Sequence, residues 1–123
     1  MRRYTPLRVG QEIRELLLAS SGVTAMVGSD IFPYYTQVDV QSPHIVYTNI
    51  NVQYASTKDG AEADTATLTL VCNTTDYEAG IHLAECVEGA LDVDGITIDG
   101  IYVSHDPAAL MFSHEISITV EYD

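Results

Sequence analysis

From residue 112 to residue 122 the chain alternates without a break: Phe112, His114, Ile116, Ile118, Val120 and Tyr122 fall on one side, and Ser113, Glu115, Ser117, Thr119 and Glu121 on the other. A period of two with one polar face describes a strand in an antiparallel sheet whose second face meets water. The same pattern occurs twice more. Over Asp64–Asn73, Ala66, Leu68, Leu70 and Cys72 alternate with Thr65, Thr67 and Thr69. Over His44–Ala55, Val46, Thr48, Ile50, Val52 and Tyr54 are expected on one face, opposite Asn49, Asn51 and Gln53. The link 56–63 contains Asp59-Gly60 and reads as a long hairpin loop. Ile101-Tyr102-Val103 reads as a further strand, with Ile96-Thr97-Ile98 either joined to it or paired against it, and Asp106-Pro107 marks a turn.

Each strand with one apolar face needs a partner layer, and two stretches at helical spacing supply it. Thr5-Pro6 reads as a helix start, since proline suits the first helical position. Val9, Ile13, Leu16 and Leu17, with Leu7 before them, form the apolar side of that helix. Ser20-Ser21-Gly22 breaks it, and Ser21 or Gly22 is expected to cap a short second helix ending at Gly28. Ile31-Phe32 reads as a short extended piece, followed by a tyrosine-bearing loop over 34–42. Thr75-Asp76-Tyr77-Glu78 matches a capping box, a hydroxyl followed three residues on by Glu. Behind it Tyr77, Ile81, Ala84, Val87 and Leu91 form a stripe widened by Leu83 and Ala90. The order helix, short helix, hairpin, helix, hairpin defines an α+β domain, an antiparallel β-sheet with helices packed on one face. A single domain over 1–123, with residues 1–8 as a basic N-terminal arm, is expected from a chain of this length.

Charge narrows the function classes. The formal charge is −13, divided as +3 over residues 1–14, which hold Arg2, Arg3, Arg8 and Arg14, and −16 over the remainder. Binding duplex nucleic acid through its phosphates needs a basic face, so sequence-specific nucleic-acid binding is not expected. Nor is membrane insertion, because no apolar run approaches the roughly 20 residues of a spanning helix. The basic start lacks the apolar stretch of a signal peptide. The two cysteines, Cys72 and Cys86, read as small core residues rather than a disulfide framework.

Sites for chemistry are scarce. Glu78, His82 and Glu85 share one face of the third helix at i, i+4 and i+7 and read as a solvated polar face. His114, on an apolar strand face, reads as a hydrogen-bonded core or interface histidine rather than a metal ligand. Asp92-Val93-Asp94-Gly95 opens like a calcium loop, but Ile96, Thr97 and Val103 occupy positions that loop needs for ligands or glycine, so it reads as an acidic turn. No glycine-rich phosphate loop or nucleophile elbow is present. No catalytic residue, cofactor or metal is expected.

The layout resembles the small tail completion, or tail terminator, proteins of long-tailed bacteriophages and their prophage copies. The resemblance runs over most of the chain. It rests on the two N-terminal helices ending Val27-Gly28, then Asp30-Ile31-Phe32-Pro33, then Pro43-His44-Ile45-Val46-Tyr47 opening a strand. Thr75-Asp76-Tyr77-Glu78-Ala79 opening the long helix and the final alternating strand complete it. It implies a structural, non-enzymatic protein that assembles into a ring, commonly a hexamer, at the head-proximal end of the tail. The ring ends tube growth and joins the tail to the head connector, so the implied partners are other copies of the chain, the tail tube protein and the head connector protein. The implied location is the virion tail, with the host cytoplasm during assembly. Arg2, Arg3, Arg8, Lys58 and Asp59 are the expected contacts between copies or to partners. The alternatives are a small acidic protein–protein interaction module of another kind and a metal-dependent enzyme.

Overall fold

The computed structural model describes residues 5–34, 43–55 and 63–122. Its centre is a pair of antiparallel strands, β3 (Asp64–Thr74) and β5 (Met111–Tyr122), in register from Asp64 opposite Tyr122 to Thr74 opposite Phe112 with no shift. The alternation in the two sequences matches across the ladder. Ala66 faces Val120, Leu68 faces Ile118, Leu70 faces Ile116 and Cys72 faces His114, and all eight are buried. Burying each Leu or Ile here contributes about 1.5–3 kcal/mol.

The sheet grows outward from this pair. β2 (His44–Gln53) pairs antiparallel with β3, and β4 (Ile96–Asp106) pairs antiparallel with β5. A three-residue strand β1 (Ile31–Pro33) pairs parallel with β2, giving the order β1-β2-β3-β5-β4. The extended piece at Ile31-Phe32 thus becomes an edge strand of unexpected direction. Ile96-Thr97-Ile98 is joined to Ile101-Tyr102-Val103 in one strand, which steps past Asp99 through an irregularity between Ile98 and Gly100.

A 3₁₀ turn (Pro6–Arg8) leads into α1 (Val9–Leu18), followed by α2 (Ser21–Val27) and, between β3 and β4, by α3 (Tyr77–Ala90). Val9, Ile13 and Leu17 of α1, Val23 and Val27 of α2, and Leu83, Ala84 and Val87 of α3 join the strand residues in one core cluster. The expected α+β architecture with helices on one sheet face is what the chain adopts. Leu7 lies in the 3₁₀ turn and stays exposed instead of joining the α1 stripe. α1 is anchored by polar contacts as well. The Tyr122 hydroxyl donates to buried Glu12 Oε1 at 2.9 Å, and Arg14 Nε donates to the Ile31 carbonyl at 3.1 Å.

Several local expectations are corrected. The cap of α2 is Ser20, whose hydroxyl accepts from Val23 N–H, not Ser21 or Gly22. The cap of α3 is Asp76, whose Oδ2 accepts from Ala79 N–H at 2.9 Å. Thr75 loses that role because the carboxylate one residue later is a stronger acceptor for the helix-end amides. In β2 the core face is Ile45 and Tyr47, then Ile50 and Val52, while Tyr54 is exposed. Asn49 takes a left-handed conformation (φ 56°) where the register shifts between Thr48 and Asn51, and this bulge inverts the alternation upstream of it. The Ile50 N–H beside it donates to the Tyr34 hydroxyl at 3.3 Å.

The α3 stripe is also displaced. Gly80, Leu83, Ala84, Val87 and Leu91 are buried, whereas Tyr77 and Ile81 are 50% and 37% exposed. The cause is at Gly80, which lies so close to the sheet that a Cβ would stand 2.5 Å from His114 Cε1 and 2.9 Å from Thr74 Oγ1. Glycine turns this residue toward the sheet, and the helical period then carries Tyr77 and Ile81 to the flank.

Two substitutions test these devices by urea unfolding. Asn49→Val forces a β-branched residue into the left-handed region and is expected to cost about 1–2 kcal/mol, with Asn49→Gly close to neutral. Gly80→Ala is expected to cost about 1–3 kcal/mol through overpacking against His114.

Candidate interaction surface

Helix coverage of the sheet is unequal. α3 packs over β3 and β5, and α1 and α2 reach β2, but β4 lies beyond them at the edge. The β4–β5 register places Ile101, Val103 and His105 opposite Ile116, His114 and Phe112, so these three side chains belong to the helix-bearing face. Nothing among the described residues covers them. Ile101 is 43% and Val103 45% exposed, and Tyr102, directed to the other face, is 67% exposed.

The neighbouring flank of α3 continues this surface. Glu88 lines an open depression of about 390 Å³ together with Leu91, Ile96 and Ile98, which fixes the side of the helix that faces β4. At about 100° per residue, Tyr77, Ile81, Glu85 and Glu78 fall toward the same flank as Glu88. The Tyr77 ring meets Phe112 edge-on at 5.6 Å between centroids, and Phe112 lies 4.5 Å from the His105 ring. The result is a groove with an apolar floor of Ile98, Ile101, Val103 and Phe112 and an apolar wall of Tyr77 and Ile81. Its upper rim, Glu78, Glu85 and Glu88, is acidic. The hairpin tip beyond it presents Leu110, 68% exposed, after a turn in which Asp106 Oδ1 accepts from Ala108 and Ala109 N–H.

The opposite sheet face is polar and partly knitted together. Ser113 Oγ donates to Asn73 Oδ1 at 2.6 Å, and Asn73 Nδ2 lies 3.2 Å from His44 Nε2, so one chain of contacts crosses β5, β3 and β2. Thr119 Oγ1 donates to Asp99 Oδ2 at 2.6 Å across β5 and β4.

Of the residues expected to meet partners, Arg8 is exposed, and its guanidinium donates to Gln11 Oε1 at 3.0 Å. Arg2, Arg3, Lys58 and Asp59, with the hairpin loop over 56–62 and most of the tyrosine-bearing loop, lie outside the described residues. Glu78, His82 and Glu85 stand on α3 without forming a metal-binding group, and among the described residues no cluster of three metal-ligating side chains occurs. Instead His82 Nε2 lies 3.8 Å from Cys86 Sγ. Both cysteines are free, and burial pushes the Cys72 thiol up to about 12.

His114 is the one ionisable side chain of the core whose ring nitrogens both lack a hydrogen-bond partner among the described residues. It is wedged beneath Gly80, with the Tyr77 ring 6.1 Å away. Its burial agrees with the sequence, but the expected hydrogen bonding is corrected, because the ring is packed against Gly80 with neither nitrogen partnered among the described residues. The sequence did not indicate the groove, although three consecutive apolar residues, Ile101-Tyr102-Val103, in a sheet with a single core layer already place at least one of them outside that core.

Known proteins share this architecture. A chain in the virion of a native gene transfer agent particle superposes with a TM-score of 0.74 at 15% identity, covering 89% of this chain and 90% of that one. The shared fold is thus that of a component of a phage-like particle. The family model described as tail completion protein gp17 matches residues 11–105, and the chain belongs to that family of phage tail proteins. No curated protein sequence matches. The protein therefore has a structural role in the phage tail and virion assembly.

The orphaned ring of His114 sets a pH dependence. Burial disfavours the imidazolium and lowers the pKa from its ordinary 6.5. The unfolded chain then takes up this proton first as pH falls, so stability is full above the unfolded value and declines from there down to the lowered folded value. Urea midpoints measured from about pH 8 to about pH 5.5 should fall with pH, and His114→Leu should flatten that decline.

Proposed function

We propose that this protein forms a ring at the head-proximal end of the tail tube, ends tube growth there, and joins the tail to the head connector. The ring is a homo-oligomer, six copies on the family resemblance, built from single-domain subunits. Its partners are other copies of the chain, the tail tube protein and the head connector protein. The role is structural rather than enzymatic and belongs to the virion tail, reached from the host cytoplasm during assembly. The observation that supports this reading best is the tail completion family match over residues 11–105, on a fold that leaves a long sheet edge with apolar side chains exposed.

The contacts are electrostatic in part. Arg2, Arg3 and Arg8 belong to the segment that concentrates the positive charge, and they meet the acidic surface of a neighbour or of the connector. Lys58 and Asp59, in the loop between β2 and β3, project toward a neighbour or the ring lumen. An acidic lumen repels rather than binds passing DNA, which suits a conduit.

Light scattering and negative-stain microscopy, with and without a tail tube protein, test the reading. Rings, or tubes capped at one end and stopped in length, are expected. Tubes that elongate unaffected beside a monomeric chain would overturn it. Deleting residues 1–8, or raising salt well above physiological strength, should weaken assembly, because exposed ion pairs are screened. Unchanged assembly after the deletion would remove the arginines from the contact.

A further inference from the structure

We propose that the groove between α3 and β4 receives the basic segment of residues 1–8 from a second copy of this chain. This inference rests on the ring reading and assigns the receiving surface that the reading leaves open.

The two edges of the sheet differ in what they offer. β1 contributes three residues and ends in Pro33, which has no N–H to donate, so that edge is blunted. β4 is 11 residues long, and among the described residues its outer side has no strand partner. Between Gly100 and His105 it carries neither lysine nor proline, the residues that ordinarily guard an edge. An extended segment laid there gains backbone hydrogen bonds from β4 and apolar contact with Ile101 and Val103.

Charge selects the occupant. Glu78, Glu85 and Glu88 rim the groove on the α3 side, and Lys58 is the one basic residue of the chain beyond residue 14. A ligand with acidic side chains is repelled, and one with arginines is drawn in. Residues 1–8 read Met-Arg-Arg-Tyr-Thr-Pro-Leu-Arg: three of the five basic residues, no acid, and apolar Tyr4 and Leu7 between them. Leu7 is 73% exposed where the segment joins the fold. Thr5 has extended backbone angles (φ −76°, ψ 158°), so the chain leaves the 3₁₀ turn already in a strand-like conformation.

Placement makes the contact head-to-tail. The 3₁₀ turn at Pro6–Arg8 rests on β3, and β5 separates β3 from β4. Donor and acceptor are different surfaces, so each copy gives one segment and receives another. A heterologous contact of this kind closes into a ring where its rotation allows and otherwise runs on as an open filament, and the proposed ring is the first case. One eight-residue segment buries less than the roughly 800 Å² per partner of a stable interface. Single contacts are therefore weak, and closure supplies the cohesion.

The test places a photo-crosslinking benzoylphenylalanine at Val103, on the groove floor, in the full chain. Isotopically heavy and light copies are mixed, irradiated with and without tail tube protein, and mapped by mass spectrometry. Mixed-isotope cross-links from position 103 to residues 1–8 are expected. They should fall about tenfold in R2E/R3E and recover in part when E85K/E88K is mixed with it. Far-ultraviolet circular dichroism checks that every variant is folded. Oligomers whose cross-links run instead from β4 to β4, to another segment, or within one chain overturn this inference and leave the ring reading standing. Absence of any oligomer, with tube protein present, overturns both.

Discussion

The unshifted ladder between β3 and β5 is the contact on which the other elements depend. It brings together segments separated by α3 and β4, and it aligns two alternating sequences so that Ala66, Leu68 and Leu70 meet Val120, Ile118 and Ile116. A one-residue slip would turn either strand's whole apolar set to water, so burial itself fixes the register. β2 and β4 are then added on either side. The helices can lie on one face only, because the other is built from Thr65, Thr67, Ser117 and Thr119.

Having one covered face creates the problem that the helices solve only in part. Three helices, one of them seven residues long, cannot screen five strands, and the shortage falls on β4. The position of α3 aggravates it. By sinking Gly80 onto His114, the chain gains tight packing over β3 and β5, but it turns Tyr77 and Ile81 away from the core and toward β4. Core packing and surface character are thus set by the same glycine. A side chain at position 80 would lift the helix from the sheet and change the wall of the groove along with the stability of the core.

Much of the architecture was legible because it is periodic. The strands at 64–74 and 111–122 have no interruption, and apart from Thr69 and Met111 their buried residues are those that alternation selects. Where the reading failed, a single residue broke the period. Asn49 inserts a bulge that a fixed period of two cannot register, so the upstream half of β2 turned over. Gly80 looks like a weak helix residue until a tertiary neighbour makes it a point of close approach, so Tyr77 and Ile81 leave the expected stripe while Leu83, Ala84, Val87 and Leu91 keep it. Asp99-Gly100 has turn chemistry but sits within a continuous strand, because pairing with β5 on both sides of the irregularity outweighs the local preference. The groove was invisible for a different reason. Exposure of Ile101 and Val103 depends on how far α3 extends over the sheet, a quantity with no counterpart in local sequence.

The acidity of the chain has a further consequence for that edge. A long, unguarded, apolar strand edge invites pairing with any available strand, and such edges ordinarily lead to aggregation. Here the guard is not on the strand but in the field around it. With −16 carried by residues 15–123, two bodies approaching edge to edge repel each other, whereas residues 1–14, at +3, can approach the same edge with Coulomb attraction. The repulsion that opposes crowding subunits together therefore also discriminates among the ways they can meet. It disfavours symmetric edge pairing, which would close a dimer and end assembly, and favours the asymmetric contact that leaves each copy with one surface still open. For a chain whose proposed task is to form a ring only where a tube ends, weak contacts and a repulsive body keep free copies apart until a template aligns them.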